Sequence, residues 1–209
     1  MTGQTLALPA STATRSRVRS GPLLAIGGVC GLAWAAALRG FMAQIAGADS
    51  SVSWVGTFGW ILLPGVVTGV LLGWAEYLRR TGGRPGWRWL ALSPLIFASV
   101  LVPGLLDPAT MFQGGIGGGA IGVPVYGILG GYALSRRGPV WARILCGLLF
   151  ASMIPIWIFT VPGFGGPDLA VGTPRGTWVA VYYWSLMVVL AMACAIPQGA
   201  VEQGERAPS

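Results

Sequence analysis

The residues of this 209-residue chain that could do chemistry are few, and most of them are arginines. All 13 basic residues are arginine, the acidic residues number six, and the chain has no histidine, so its formal net charge is +7. Without histidine it lacks the commonest proton shuttle and metal ligand, and it cannot form a Ser–His or Cys–His nucleophile pair. No predicted helix face carries paired carboxylates. We therefore expect no catalytic constellation, no metal site and no cofactor.

One candidate polar site centres on Arg39, the charged residue that lies well inside a long apolar segment. A charge at that depth is costly in a bilayer unless it snorkels to the surface or is paired. The functional hypothesis is an outward-facing polar pocket framed by Arg39, Gln44, Asp107 and Asp168. The plainer interpretation, which we favour, is a snorkelling arginine paired with an interfacial acid.

The remaining reactive side chains are expected to be structural. Glu76 precedes Arg79 and Arg80 by three and four residues, so the three share a helix face and are expected to form an ordinary ion pair. The cysteines fall inside apolar runs, and their spacing fits neither a zinc site nor a disulfide framework. We expect these thiols to pack as small hydrophobic groups: Cys30, Cys146 and Cys194.

The elements that must position these residues are predicted to be membrane helices. Apolar residues make up 54% of the chain and charged residues only 9%, against about 25% charged in a typical soluble domain. The mean hydropathy is +0.70, and a soluble core could not hide that much apolar surface. The composition thus predicts an all-α, polytopic integral membrane protein and excludes a free cytosolic enzyme, a disordered chain and a secreted disulfide scaffold.

Six apolar segments have about the 20 residues that a helix needs to cross a bilayer. Residues 1–20 are expected to form a disordered cytoplasmic arm, residues 21–198 a domain of six transmembrane helices, and residues 199–209 a cytoplasmic tail. The helices are predicted near 22–46, 55–79, 88–106, 117–136, 140–161 and 177–197.

The arginines predict the orientation of these helices. With six crossings, eleven of the 13 arginines fall on one side, which the positive-inside rule assigns to the cytoplasm. Both termini are then cytoplasmic, in the cell (inner) membrane, and the basic loops contact lipid rather than nucleic acid. An alternative makes the first segment a signal peptide cleaved after 35–37. We favour an uncleaved helix, because the apolar run before Arg39 is longer than usual for a signal peptide.

Self-similarity along the chain suggests an internal repeat. Residues 68–75 resemble residues 126–133, and a double arginine follows each run, at 79–80 and 136–137. Proline, tryptophan and a Val-Pro-Gly triplet then recur in the same order. We predict a parallel repeat of two helical hairpins, residues 59–108 and 117–168, related by a pseudo-twofold axis along the membrane normal. The alternative is chance similarity between helices of biased composition.

Small residues and prolines are expected to shape the bundle. Glycines four residues apart stack on one helix face and let two backbones approach closely, and we expect the glycine faces of the second and fourth segments to meet. Prolines within helices remove a hydrogen bond and favour kinks, which act either as static bends or as hinges. The packing glycines are Gly27, Gly31, Gly65, Gly69, Gly73, Gly127 and Gly131, and the candidate hinges are Pro64, Pro94, Pro124 and Pro155.

The sequence is compatible with three functional classes. We lean towards a small transporter, channel-like or small-molecule-binding bundle, with the lipid bilayer as its first partner. The alternatives are an accessory subunit that packs on another membrane protein or on a second copy, and a membrane-embedded lipid-modifying enzyme. A cavity lined by Arg39 and the prolines would favour transport, whereas a filled bundle with a flat glycine face towards lipid would favour a subunit role.

Overall fold

The fold is all-helical, as predicted, across the described part of the chain. The computed structural model describes residues 18–101 and 116–201, apart from a few side chains within them. The predicted Asp107, most of the N-terminal arm and most of the C-terminal tail lie outside those residues. The six segments predicted from the sequence each begin within three residues of the predicted position, and two of them are divided into two helices. The helices are α1 (Ser20–Ala46), a π-helical segment (Trp54–Leu62) that continues into α2 (Leu63–Arg80), a 3₁₀ helix (Trp87–Leu101), α3 (Ile116–Leu134), α4 (Val140–Ala151), α5 (Met153–Gly165) and α6 (Pro174–Gln198).

Length and composition make this a membrane-type bundle. Within the described ranges, four helical stretches are long and apolar enough to cross a bilayer, and two further apolar helices are shorter. The four long stretches are Ser20–Ala46, Trp54–Arg80, Val140–Gly163 and Pro174–Gln198, and the shorter ones are Trp87–Leu101 and Gly119–Leu134.

Prolines lie at or near three places where these helices depart from regular α geometry. Pro64 has no N–H and its ring presses on the preceding turn, and the nine residues of the π segment directly precede α2, where Leu63 N–H bonds to Phe58 O. Pro155 follows an interruption at Ser152 that divides the predicted 140–161 helix into α4 and α5. Pro94 lies within the 3₁₀ helix, and Pro124 lies within α3. Three of the six predicted segments therefore depart from a single regular α-helix.

The glycine faces pack differently from the expectation that the second and fourth segments would meet. Gly65, Gly69 and Gly73 of α2 lie against α1, where a methyl group on any of them would collide with α1 atoms. Gly127 and Gly131 of α3 lie against Leu190 and Cys194 of α6. The expected contact between α2 and α3 was wrong, because each glycine face is already occupied by another helix.

An aromatic cluster joins α1, α5 and α6 at the end of the bundle opposite the start of α1 and the end of α6. Phe41, Trp157 and Tyr183 stack on one another, with ring centroids 4.7 to 5.5 Å apart. Tyr182 donates a hydrogen bond to the carbonyl oxygen of Ala37 at 2.6 Å. Because these rings pack closely against one another, the cluster stabilises the fold at this end of the bundle.

Candidate functional site

One end of the bundle collects the end of α2, the start of the 3₁₀ helix and the end of α6. Gly73 of α2 faces the carbonyl oxygen of Leu23 near the start of α1. Gly199, just after α6, lies beside the aliphatic part of Arg79. We call this the arginine end, because it carries Arg79, Arg80 and the turn described next.

Glycines set the shape of the turn between α2 and the 3₁₀ helix. Gly82 and Gly83 have φ angles of +95° and +74°, and Gly83 N–H bonds to Leu78 O at 2.7 Å. This is the glycine-dependent way in which many α-helices end. Residues 84–87 then form a β-turn, in which Trp87 N–H bonds to Arg84 O at 3.2 Å.

The sequence of this β-turn suits its geometry. Pro85 occupies the second position and Gly86, with φ +78°, the third, which is the arrangement that a type II turn favours. Arg84 therefore opens the turn, and Arg88 lies in the first turn of the 3₁₀ helix that follows it. Local sequence thus brings two arginines to one site.

The two arginines stand at a groove of about 830 Å³ at the arginine end. The groove follows α3 between the 3₁₀ helix and α4, and most of its surface is apolar or aromatic. Trp89, which is 74% exposed, stands at its side. Its lining residues are Arg84, Gly86, Trp87, Arg88, Trp89, Ala91, Leu92, Ile128, Leu129, Tyr132, Cys146 and Gln198.

Two interactions hold the walls of the groove in place. Gln198 Nε2 donates to Ile128 O at 3.3 Å, which ties the end of α6 to α3. Arg143 Nε donates to Ala133 O at 3.3 Å, which ties the start of α4 to the end of α3. The second contact places a cation on helix-terminal carbonyls, where the helix dipole favours it. The groove is thus preformed by contacts between its own helices.

The described charges in the groove are of one sign. Arg84 and Arg88 are both exposed, and no carboxylate is among the described residues that line the groove. The nearby Glu76 is already engaged with Arg79, at 2.7 and 2.8 Å, and with Arg80, at 2.6 Å. The predicted ion pair of α2 is therefore confirmed, and it occupies the described carboxylate nearest in sequence to the groove.

The polar residues predicted to frame an outer pocket have separate partners. Arg39 donates to Ser50 Oγ at 3.1 Å and to the carbonyl oxygen of Ser51. The backbone oxygen of Gln44 accepts from Arg175 at 3.1 Å. The backbone oxygen of Asp168 accepts from Thr173 Oγ1 at 2.6 Å. Among the side chains that the structure describes, which do not include those of Asp49 and Asp107, no ion pair joins Arg39 to an acid.

The predicted features do not coincide with the groove. Neither Arg39 nor any of the prolines within helices lines it, and the glycine faces are covered by neighbouring helices. Neither of the two described grooves is lined by Arg39, and the predicted packing glycines face other helices. The signal that sequence reasoning missed is the alternation of arginine and tryptophan over residues 84–89.

Comparisons of the chain with protein-family models, with curated proteins and with solved structures found no match.

Proposed function

We propose that this protein is a small transporter-like or binding protein of the membrane that holds an amphipathic, lipid-like molecule in the groove along α3. The observation that carries the proposal is the groove's combination of size and lining. Its volume of about 830 Å³ lies within the range of about 300 to 1,000 Å³ that small-molecule sites occupy. An apolar floor with cations at one end suits a ligand that has an apolar body and a polar head.

The proposed topology follows from the same end of the molecule. We propose six crossings in the cell membrane, with both termini and the arginine end in the cytoplasm. The positive-inside rule supports this orientation, as does the proximity of the start of α1 and the end of α6. The two proposed hairpin repeats, residues 59–108 and 117–168, then have the same orientation. The groove would open at the inner surface of the membrane.

Photo-crosslinking tests the binding site. The full-length protein in nanodiscs is irradiated with a phospholipid that carries a diazirine on its acyl chain, and the modified residues are mapped by mass spectrometry. We expect labelling to concentrate at Ile128, Leu129 and Cys146, which line the groove. A uniform distribution over lipid-facing residues, such as the 64%-exposed Leu148, would contradict the proposal.

A pair of variants sharpens this experiment. Leu129→Trp fills the groove and should suppress labelling at Cys146. Leu148→Trp adds the same side chain on the exposed face of the neighbouring helix α4 and should leave that labelling unchanged. Equal effects of the two variants would show that the label does not report on the groove.

A second candidate function, an accessory subunit, is favoured by a surface on α6. An apolar groove of about 570 Å³ runs along this helix, and a helix of a partner protein would fit it. Gentle purification followed by mass spectrometry of co-purifying proteins and lipids separates the two candidates, because a stable companion protein would argue against an autonomous transporter. The lining residues are Val171, Thr177, Ala180, Val181, Trp184, Ser185, Val188 and Val189.

A further inference from the structure

We propose that the groove selects an anionic phospholipid, whose phosphate binds Arg84 and Arg88 and whose acyl chain lies along α3. The proposal deepens the proposed function and rests on it, because it names the chemical class of the ligand. Three observations carry it: two exposed guanidinium groups at one apolar groove, the lack of a carboxylate among the described residues of its lining, and aromatic side chains beside the arginines.

Charge complementarity selects the head group. A guanidinium offers five N–H donors in a fixed plane that matches phosphate oxygens. The turn of residues 84–87 supplies one guanidinium and the following 3₁₀ helix supplies the second. Since none of the described lining residues carries negative charge, no described carboxylate competes with a phosphate for the two cations in the groove. A zwitterionic choline head group would bring a third cation to the same site and is therefore disfavoured.

The aromatic residues select a lipid over a free phosphate ion. Trp89 is largely exposed, and Trp87 and Tyr132 line the groove beside it. Tryptophan and tyrosine are enriched where the hydrocarbon of a bilayer meets its head groups. The surface that continues from them is apolar, with Ala91, Leu92 and Leu129. A free phosphate would leave this surface empty, whereas an acyl chain covers it.

The test compares lipids that differ only in head group. Delipidated full-length protein in detergent is titrated with phosphatidylglycerol and with phosphatidylcholine of identical acyl chains, and bound lipid is counted by native mass spectrometry. We expect phosphatidylglycerol to bind about tenfold more tightly, since each basic residue near an anionic head group contributes severalfold. The variant Arg84→Gln/Arg88→Gln should bring this preference close to one.

Two matched variants control for charge and folding. Arg136→Gln/Arg137→Gln removes the same charge from exposed residues that follow α3 and do not line the groove, and it should keep the preference. Arg84→Lys/Arg88→Lys keeps the charge but loses the planar donor geometry, so it should retain part of the preference. An equal loss in both glutamine variants would mean general surface charge and would overturn the proposal.

Two further results separate this proposal from the proposed function. If the wild type shows no head-group preference while the acyl-chain label still maps to the groove, the anionic-lipid proposal fails and the binding function stands. If the label does not map to the groove, both fail. Displacement of phosphatidylglycerol by millimolar inorganic phosphate would identify the site as one for free phosphate and would also overturn the proposal.

Discussion

Gly27 of α1 and Gly69 of α2 face each other with no room for a methyl group between them: a Cβ on either residue would collide with the carbonyl oxygen of the other. Gly31 and Gly65 repeat this relationship one turn away. In lipid, little hydrophobic force drives helices together, so such close backbone approach supplies the van der Waals contact instead. The α1–α2 interface therefore has no room for side chains larger than glycine at these four positions.

We expect Gly69→Ala to destabilise the protein by about 1–3 kcal/mol, the usual cost of overpacking a close contact. The matched control is Gly122→Ala in α3, where a Cβ has open space around it. That change should be neutral or should stabilise by up to about 1 kcal/mol, because alanine favours the helix. Reversible unfolding in mixed micelles measures both. Equal effects at the two sites would show that the α1–α2 interface can accommodate an added methyl group.

Arg39 connects the end of α1 to the segment that starts the π helix, through Ser50 and Ser51. We expect Arg39→Leu to fold and insert but to increase amide hydrogen exchange at Gly56 and Thr57, whose N–H groups bond to Ser53. The loss of one or two such hydrogen bonds, about 1 kcal/mol each, corresponds to severalfold faster exchange.

The control for Arg39 is the other arginine close to the end of α1. Arg175→Leu removes the hydrogen bond to Gln44 O and should loosen the end of α1 without affecting exchange at Gly56. An Arg39→Leu protein that folds and keeps its ligand binding would remove the hypothesis of a functional pocket around Arg39. Loss of binding with normal exchange would support that pocket instead.

The division between α4 and α5 is expected to depend on Pro155. An alanine there restores an N–H that can donate to Ala151 O, so Pro155→Ala should join the two helices into one. Spin labels at Arg143→Cys and Thr160→Cys, in a background without the native cysteines, report the end-to-end distance. It should move towards the about 26 Å of a straight helix of that length. Pro162→Ala, beyond the labelled pair, should leave the distance unchanged.

An unchanged distance in the Pro155→Ala variant would show that packing, and not the proline, produces the interruption at Ser152. The same variant also tests the hinge hypothesis, because a hinge would give a broad distance distribution in the wild type and a static bend a narrow one.

Much of the fold was predictable because it depends on local composition. The starts of the helices follow from apolar length and from the arginines between the segments, and they agree with the structure within three residues. The partners of the glycine faces were not predictable. Gly69 and Gly127 have the same spacing pattern, yet one faces α1 and the other faces α6. A small-residue stripe shows that a close contact exists but does not identify its partner.

The candidate site was harder to predict for a related reason. The turn of Arg84, Pro85 and Gly86 can be recognised from the local sequence, and so can the exposed position of Trp89 beside it. The apolar wall opposite this segment is not, because it comes from residues about 40 and 60 positions later on α3 and α4. Only the tertiary arrangement brings those side chains next to the arginines. The π-helical segment and the long 3₁₀ helix were likewise missed, since both depend on how packing accommodates Pro64 and Pro94.

The buried serines Ser93 and Ser135 have different surroundings. Ser93, next to Pro94, is 7% exposed and its hydroxyl has no hydrogen-bond partner. Ser135, at the end of α3, is 8% exposed and donates to Tyr132 O at 2.8 Å. An unsatisfied buried hydroxyl is costly, whereas a satisfied one stabilises by about 1 kcal/mol. Ser93→Ala should therefore leave the free energy of unfolding unchanged or raise it, and Ser135→Ala should lower it by about 1 kcal/mol.

Thr68→Val completes this comparison, because Thr68 Oγ1 donates to the backbone oxygen of Ser93 at 3.3 Å. The nearly isosteric change removes that bond between α2 and the 3₁₀ helix and should cost about 0.5–1.5 kcal/mol. A loss in Ser93→Ala as large as that in Thr68→Val would mean that the Ser93 hydroxyl has a partner in the membrane. The Ser93 hydroxyl would then mark a polar contact point inside the bundle, and the interior between α2 and the 3₁₀ helix would replace the groove as the region to search for a ligand.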